Sequence, residues 1–343
     1  MSLGSGVGFG LAAAGCWGGD DYCGGRATRQ SGSTFVTLFW VQVFALLALA
    51  ALLPTGRLAM TYPTFAAVAA AVGLNLLVLT GAGLIYRACA IGKMALVGPI
   101  AASYGVISAL LAFVSDEHLG ILPVVGIGVT LGAVIAVSAS SDTSVATFKD
   151  TPAQLPIPGE RAPAPSALVV RPVMSIVSVF ACTNARIYKR AAPGLVEALL
   201  AMLVWGVAFW ALRYPVAALG SMPVVLIGKI GNFAVLASIA VAGLVGARVR
   251  HSPRRGAGAW YDVRVPQLAF WWLAGLTGLL DVGANVAYVL GLATSLTAVV
   301  AVFASPAGVV TALLGWFVEH EQLVWWKWIG IVVILIGGVL VYL

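Results

Sequence analysis

Two adjacent carboxylates, Asp20 and Asp21, stand in GCWGGDDYCGGRATR (residues 15–29), between the apolar runs VGFGLAAAG and TFVTLFWVQVFALLALAALL. A carboxylate at bilayer depth is costly, so it normally faces a cavity or a partner and marks a functional position. Neighbouring residues of a helix point about 100° apart, so one acid is expected to face a central cavity while the other meets an adjacent helix or the water boundary. The Gly pairs at 18–19 and 24–25 predict a loosened, broken helix beside a solute site. The plainer alternative is that this helix ends early and both acids are solvated at its mouth. A buried acid of this kind could also load and release a proton during exchange.

Asp281 is the next candidate, deep within VPQLAFWWLAGLTGLLDVGANVAYVLGL, with Asn285 at i+4 and Tyr288 at i+7 on one helical face. An Asp, Asn and Tyr stripe can line a pathway, or it can simply hold a helix pair together. Lys229, in VVLIGKIGNFAVLASIA, is a basic residue well inside an apolar run. It is expected either to pair with an intramembrane Asp or to extend its amine to the nearer surface. Asn75 and Gln42 are single amides that suit bridging between helices. Ser103 and Tyr104, in GPIAASYGVIS, and Ser305, in VFASPAGVV, lie near Pro99 and Pro306. A proline frees backbone carbonyls that can line a cavity but not face lipid.

These residues need elements that span a membrane. Of 343 residues 61% are hydrophobic and 9% charged, with a mean hydropathy of +1.02. A soluble domain carries about a quarter charged residues, so the chain reads as an all-α polytopic membrane protein. A span needs about 20 apolar residues. Ten such runs are predicted, at 6–26, 34–54, 64–86, 92–114, 119–140, 194–214, 222–246, 266–291, 293–317 and 323–343. A Pro- and Ser-rich stretch follows the fifth. The organisation is therefore a first five-helix unit at 1–140, a linker at 141–192 and a second five-helix unit at 193–343.

The net charge of +7 resides mainly between apolar runs, as the positive-inside rule requires, which excludes nucleic acid as a partner. With ten spans, all but three of the 19 Lys and Arg residues fall on one face; Arg57 and Arg213 fall on the other and Lys229 lies within a span. An eleventh helix at 167–185 would scatter them across both faces, so that piece reads as interfacial or packed linker.

The halves resemble each other. DEHLGILPVVGIGVTLGAVIAV (116–137) parallels HEQLVWWKWIGIVVILIGGVLV (320–341), GAGLIY (81–86) parallels GANVAY (283–288), and CWGG (16–19) parallels VWGV (204–207). An odd number of spans per unit sets the second copy upside down, the inverted repeat of many secondary transporters. Glu-x-Leu nine residues before a glycine of the closing helix, with Trp-Gly in the first helix of each repeat, resembles the ten-helix EamA-type branch of the drug/metabolite transporter superfamily. The likeness covers nearly the whole chain except 141–192 and 247–264. It implies two inverted five-helix repeats around a central cavity, with export or exchange of small metabolites. It also implies that the first, third and fourth helices of each repeat line the cavity, which makes Trp17 and Trp205 candidate walls.

The leading expectation is a secondary transporter or exporter of small organic metabolites, such as amino acids or drugs, working by alternating access with possible proton coupling. The alternative is an ion or metal-cation permease using the intramembrane carboxylates. An enzyme is not expected, because no nucleophile elbow, zinc motif or phosphate loop is present. Neither is a cofactor or a resident metal. His118 and His320 stand beside Glu117 and Glu321, but inverted topology puts those loops on opposite faces. Cys16, Cys23, Cys89 and Cys182 lack metal spacing. The expected partners are a small-molecule substrate, membrane lipid and protons; the expected state is a monomer in a bacterial plasma membrane.

Overall fold

Long apolar runs with few polar positions leave lipid or a helical interior as their only stable surroundings, and helices satisfy their own backbone there. The computed structural model of the chain describes residues 3–52, 63–115, parts of 121–133, 193–249, 268–320 and 325–342, and every regular element among them is helical. The first half contains α1 (Leu3–Ser31), α2 (Thr34–Leu52), α3 (Phe65–Ile91), α4 (Met94–Ala102) and α5 (Tyr104–Val114). The second contains α6 (Leu195–Ala211), α7 (Arg213–Leu219), α8 (Ser221–Val249), α9 (Leu268–Thr294), α10 (Thr297–Ala304), α11 (Ala307–Glu319) and α12 (Trp325–Tyr342). Among the described residues, six helical segments are long and apolar enough to cross a membrane: 34–51, 65–91, 195–219, 221–243, 268–294 and 297–319. Their outer faces expose Leu47, Leu203, Trp272, Leu279 and Phe317, a surface suited to acyl chains rather than water. The chain is a membrane protein.

Helix pairing follows one scheme twice. α1 packs along α9 as α6 packs along α3, α2 against α9 as α8 against α3, and α4 against α11 as α10 against α5. The α1–α9 pair is antiparallel, with Gly19 facing Leu280 and Gly283 facing Cys16. In the α3–α6 pair, Gly81 lies under the indole of Trp205. Two hydroxyls repeat the correspondence across the halves. Ser108 on α5 donates to the Gly206 carbonyl of α6 at 2.8 Å, and Thr311 on α11 donates to the Gly18 carbonyl of α1 at 3.1 Å. Gly98 and Gly308 bring α4 and α11 into backbone contact, while Gly105 meets the Ala301 carbonyl where α5 crosses α10.

Several boundaries differ from the sequence reading. α1 does not break at its Gly pairs and does not end before the acids; it runs unbroken to Ser31 and takes in Arg26 and Arg29. Its glycines serve close packing instead, Gly18 against the Ala307 carbonyl, Gly24 against the Tyr86 ring and Gly25 against Cys89. The breaks come later, at Ser103 between α4 and α5 and at Ser305–Pro306 between α10 and α11. Pro306 lacks an N–H and ends α10 directly. In the first half the chain breaks four residues after Pro99, so the same bend forms without a proline at the junction. Gly194, with φ 84°, allows the tight entry to α6, where its Cα approaches the Ala88 carbonyl. Within the fifth predicted span the described pieces are helical, and Ala133 packs against Val333 of α12. The linker at 141–192 (with 167–185 and Cys182), the loop at 250–264, and Arg57, Glu117, His118 and Glu321 lie outside the described residues.

Candidate intramembrane charge and aromatic site

Asp20 and Asp21 are each 4% exposed, so the solvated-mouth alternative does not hold. Asp20 Oδ1 accepts a 2.7 Å hydrogen bond from the phenol of Tyr86 on α3. Asp281 on α9 lies within electrostatic reach of both acids. Its Oδ2 accepts from the ammonium of Lys229 on α8, and its Oδ1 accepts at 2.7 Å from Asn285 one turn further on. Asn285 also donates to the Asp281 carbonyl at 2.7 Å. Of the two expectations for Lys229, pairing holds. The amine is buried against Asp281 rather than carried to a surface, because α8 and α9 are adjacent and the carboxylate is nearer than water.

One turn along α1 from the acids, Trp17 meets a ring cluster assembled from four helices. Its centroid lies 4.7 Å from Phe209 on α6, 5.3 Å from Tyr288 on α9 and 6.1 Å from Tyr104 on α5. Trp205 stands 5.8 Å from Tyr104 and 6.1 Å from Phe209. All five rings are buried. Trp205 donates its indole N–H to the Val78 carbonyl at 3.0 Å, and Tyr288 its hydroxyl to the Phe209 carbonyl at 3.4 Å. The Tyr104 hydroxyl is the exception: it is buried, has no hydrogen-bond partner among the described residues, and lies within the electrostatic field of Asp21 and Tyr288.

The structure thus gathers Asp20, Asp21, Lys229, Asp281 and Asn285 into one polar group, and Trp17, Tyr104, Trp205 and Tyr288 into an adjoining aromatic one. Ser103 and Ser305 sit at the two helix breaks, Ser103 next to Tyr104 in the chain and Ser305 against Gly105; Ser305 bonds back to the Ala301 carbonyl at 3.0 Å. Asn75 bonds within its own helix, to the Ala71 carbonyl at 2.8 Å, and packs against Gly228 of α8, a glycine contact rather than a hydrogen-bonded bridge among the described residues. Gln42 is buried, and among the described residues its side-chain oxygen has no partner. His320 is exposed and adopts a left-handed φ of 55° after α11.

Three groups escaped the sequence reading. Tyr86 ends GAGLIY, and its parallel with Tyr288 in GANVAY is the sequence signal that points to it. Phe209 carries no polar signature at all. The third is an ionic layer at the end of the bundle. Arg26 and Arg29 of α1 reach Glu319 of α11 at 3.2 and 3.5 Å, and Tyr22 joins them. Arg29 also donates to the Cys89, Ala90 and Gly92 carbonyls at 2.6, 3.2 and 3.2 Å, capping the C-terminus of α3. Nearby, Arg87 of α3 pairs with Glu197 of α6 at 3.4 Å.

No family model and no curated protein matches the chain. The fold is similar to that of a solved structure described as "Crystal structure of protein", with a TM-score of 0.60 and 17% identity over 99% of this chain and 96% of that one. At this identity the likeness speaks to the fold alone.

Proposed function

We propose that the chain is a secondary transporter of small organic solutes, built as two inverted five-helix repeats and working by alternating access at the Asp20–Asp281 region. The observation that carries this reading is the placement of the charge cluster. Its members come from α1 and α3 of the first half and α8 and α9 of the second, at the centre of a packing scheme that occurs twice. Such a site can be exposed first to one side and then to the other by rocking one half against the other. The resemblance to the EamA-type branch, export from a bacterial inner membrane, and proton coupling through Asp20 or Asp21 belong to the same proposal. The ion-permease alternative is weaker. Both oxygens of Asp281 are engaged by Lys229 and Asn285, which leaves few oxygens for a bare cation that takes about six or more.

The test is solute counterflow in proteoliposomes of the full chain, over a panel of amines, amino acids, sugars, carboxylates and divalent metals. Saturable exchange of an organic solute, lost in Asp21→Asn, is the expected result. Flux of metal ions alone would put the permease reading in its place.

A further inference from the structure

The substrate class can be taken further, on the footing of the transport reading above. We infer that the solute is an organic cation, an amine or quaternary ammonium compound with an apolar body, its positive centre held by Asp20 and Asp21 and its body by the rings of Trp17, Tyr104, Phe209 and Tyr288.

Charge balance is the first argument. Three buried carboxylates, Asp20, Asp21 and Asp281, stand against one buried ammonium among the described residues, Lys229, which pairs with Asp281 and also reaches Asp20 electrostatically, so negative groups remain in excess. Among the described residues no basic side chain pairs with Asp20 or Asp21, so the centre attracts a cation and repels an anion. The same fact disfavours zwitterionic amino acids, whose carboxylate would have no cation to meet.

Aromatic composition is the second. Trp17 and Asp21 are one turn apart on α1, about 6 Å along the axis, so a cation at the acids lies within a turn of the aromatic cluster, and aromatic rings attract cations. Sugars fit poorly. They need several donors and acceptors, whereas the indole N–H of Trp205 and the hydroxyl of Tyr288 are already committed to backbone carbonyls.

The third observation is independent of both. Tyr104 is 1% exposed, its ring belongs to the aromatic cluster, and among the described residues its buried hydroxyl has no partner while lying within the field of Asp21. A buried hydroxyl without a partner is uncommon and calls for a reason. An ammonium N–H, or the water that accompanies a quaternary centre, supplies one.

The experiment uses purified full-length protein, with benzyltrimethylammonium, phenylacetate, benzyl alcohol and phenylalanine as probes of like size and different charge. Binding is read by thermal stabilisation in detergent and transport by counterflow in liposomes. Benzyltrimethylammonium alone is expected to stabilise and to exchange, with affinity falling at least tenfold in Asp21→Asn and in Trp17→Phe. Tyr104→Phe, which removes only the unpartnered hydroxyl, folds as the parent does and weakens the cation several-fold. Equal response to phenylacetate, benzyl alcohol or phenylalanine overturns the cation assignment and leaves transport standing. Cation binding untouched by both Asp20→Asn and Asp21→Asn overturns the site. If no probe and no solute of the wider panel exchanges, the transport reading falls and takes this inference with it.

Discussion

Lys229 and Asp281, 52 positions apart in the chain, meet as a buried ion pair between α8 and α9. Removing one partner strands a charge in a dry interior, a loss of about 3–5 kcal/mol, whereas replacing both by apolar groups is often close to neutral. Lys229→Met is therefore expected to lower the unfolding temperature in detergent severely, and Lys229→Met with Asp281→Leu to recover most of it. A double variant as unstable as the single one would show that the pair is not the cause.

Tyr86 binds Asp20 through one phenolic hydrogen, at 2.7 Å. Hydrogen bonds to charged groups contribute about 1.5–3 kcal/mol. Tyr86→Phe should cost that much on its own. In an Asp20→Asn background it should cost less than half as much, because the acceptor no longer carries charge. A double-mutant cycle on denaturation midpoints measures the difference, and an additive result would mean the acid is not held by this phenol.

The glycines divide into two groups by their neighbours. A Cβ at Gly308 would strike the Gly98 carbonyl and Ala102, whereas one at Gly15 meets nothing within 4 Å. Gly15→Ala is expected to stabilise by roughly 0.5–1 kcal/mol through helix propensity. Gly308→Ala should destabilise by more than that gain, because α4 and α11 must separate. Thermal unfolding of the two variants side by side decides it; equal shifts would remove the close-packing argument.

At the end of the bundle, Glu319 holds both Arg26 and Arg29, and Arg29 holds the last carbonyls of α3. These groups are partly exposed, so Glu319→Gln should change stability by less than about 1 kcal/mol. The layer ties α1, α3 and α11 together on one side of the charge site. Releasing it should raise the rate at which Cys89, buried beside Gly25, is labelled by a maleimide in a chain whose other three cysteines are replaced. An unchanged labelling rate would show that the layer does not restrain opening.

Proton coupling is tested by flux under a pH gradient. Asp20 faces Tyr86, Asp21, Asp281 and Lys229, and Asp21 faces Asp281. Asp21→Asn is expected to lose exchange itself, so the coupling is read at Asp20: Asp20→Asn should keep counterflow at saturating solute and lose pH-driven accumulation. Gradient-driven uptake that survives in Asp20→Asn assigns the coupling elsewhere.

The sequence by itself determined that the chain is helical and membrane-embedded, because long apolar runs with few charges have no other stable surroundings. It also determined that Asp281, Asn285 and Tyr288 share a face, since helical periodicity is local. Asp20 and Asp21 stood out because the cost of a carboxylate in lipid does not depend on the fold. What the tertiary structure decided is everything that requires two distant helices to meet: that Lys229 turns to Asp281 rather than to a surface, that Tyr86 holds Asp20, and that Phe209 and Tyr104 close around Trp17. It also decided the use of the glycines in α1. Taken locally, Gly-Gly weakens a helix; against Ala307, Tyr86 and Cys89 it lets neighbouring helices approach, and packing on three sides offsets the propensity that was lost. Arg29 follows the same rule: it lies beyond the predicted end of the first span at 26, yet α1 runs on through it, with Glu319 and the open carbonyls of α3 as partners that no local window contains.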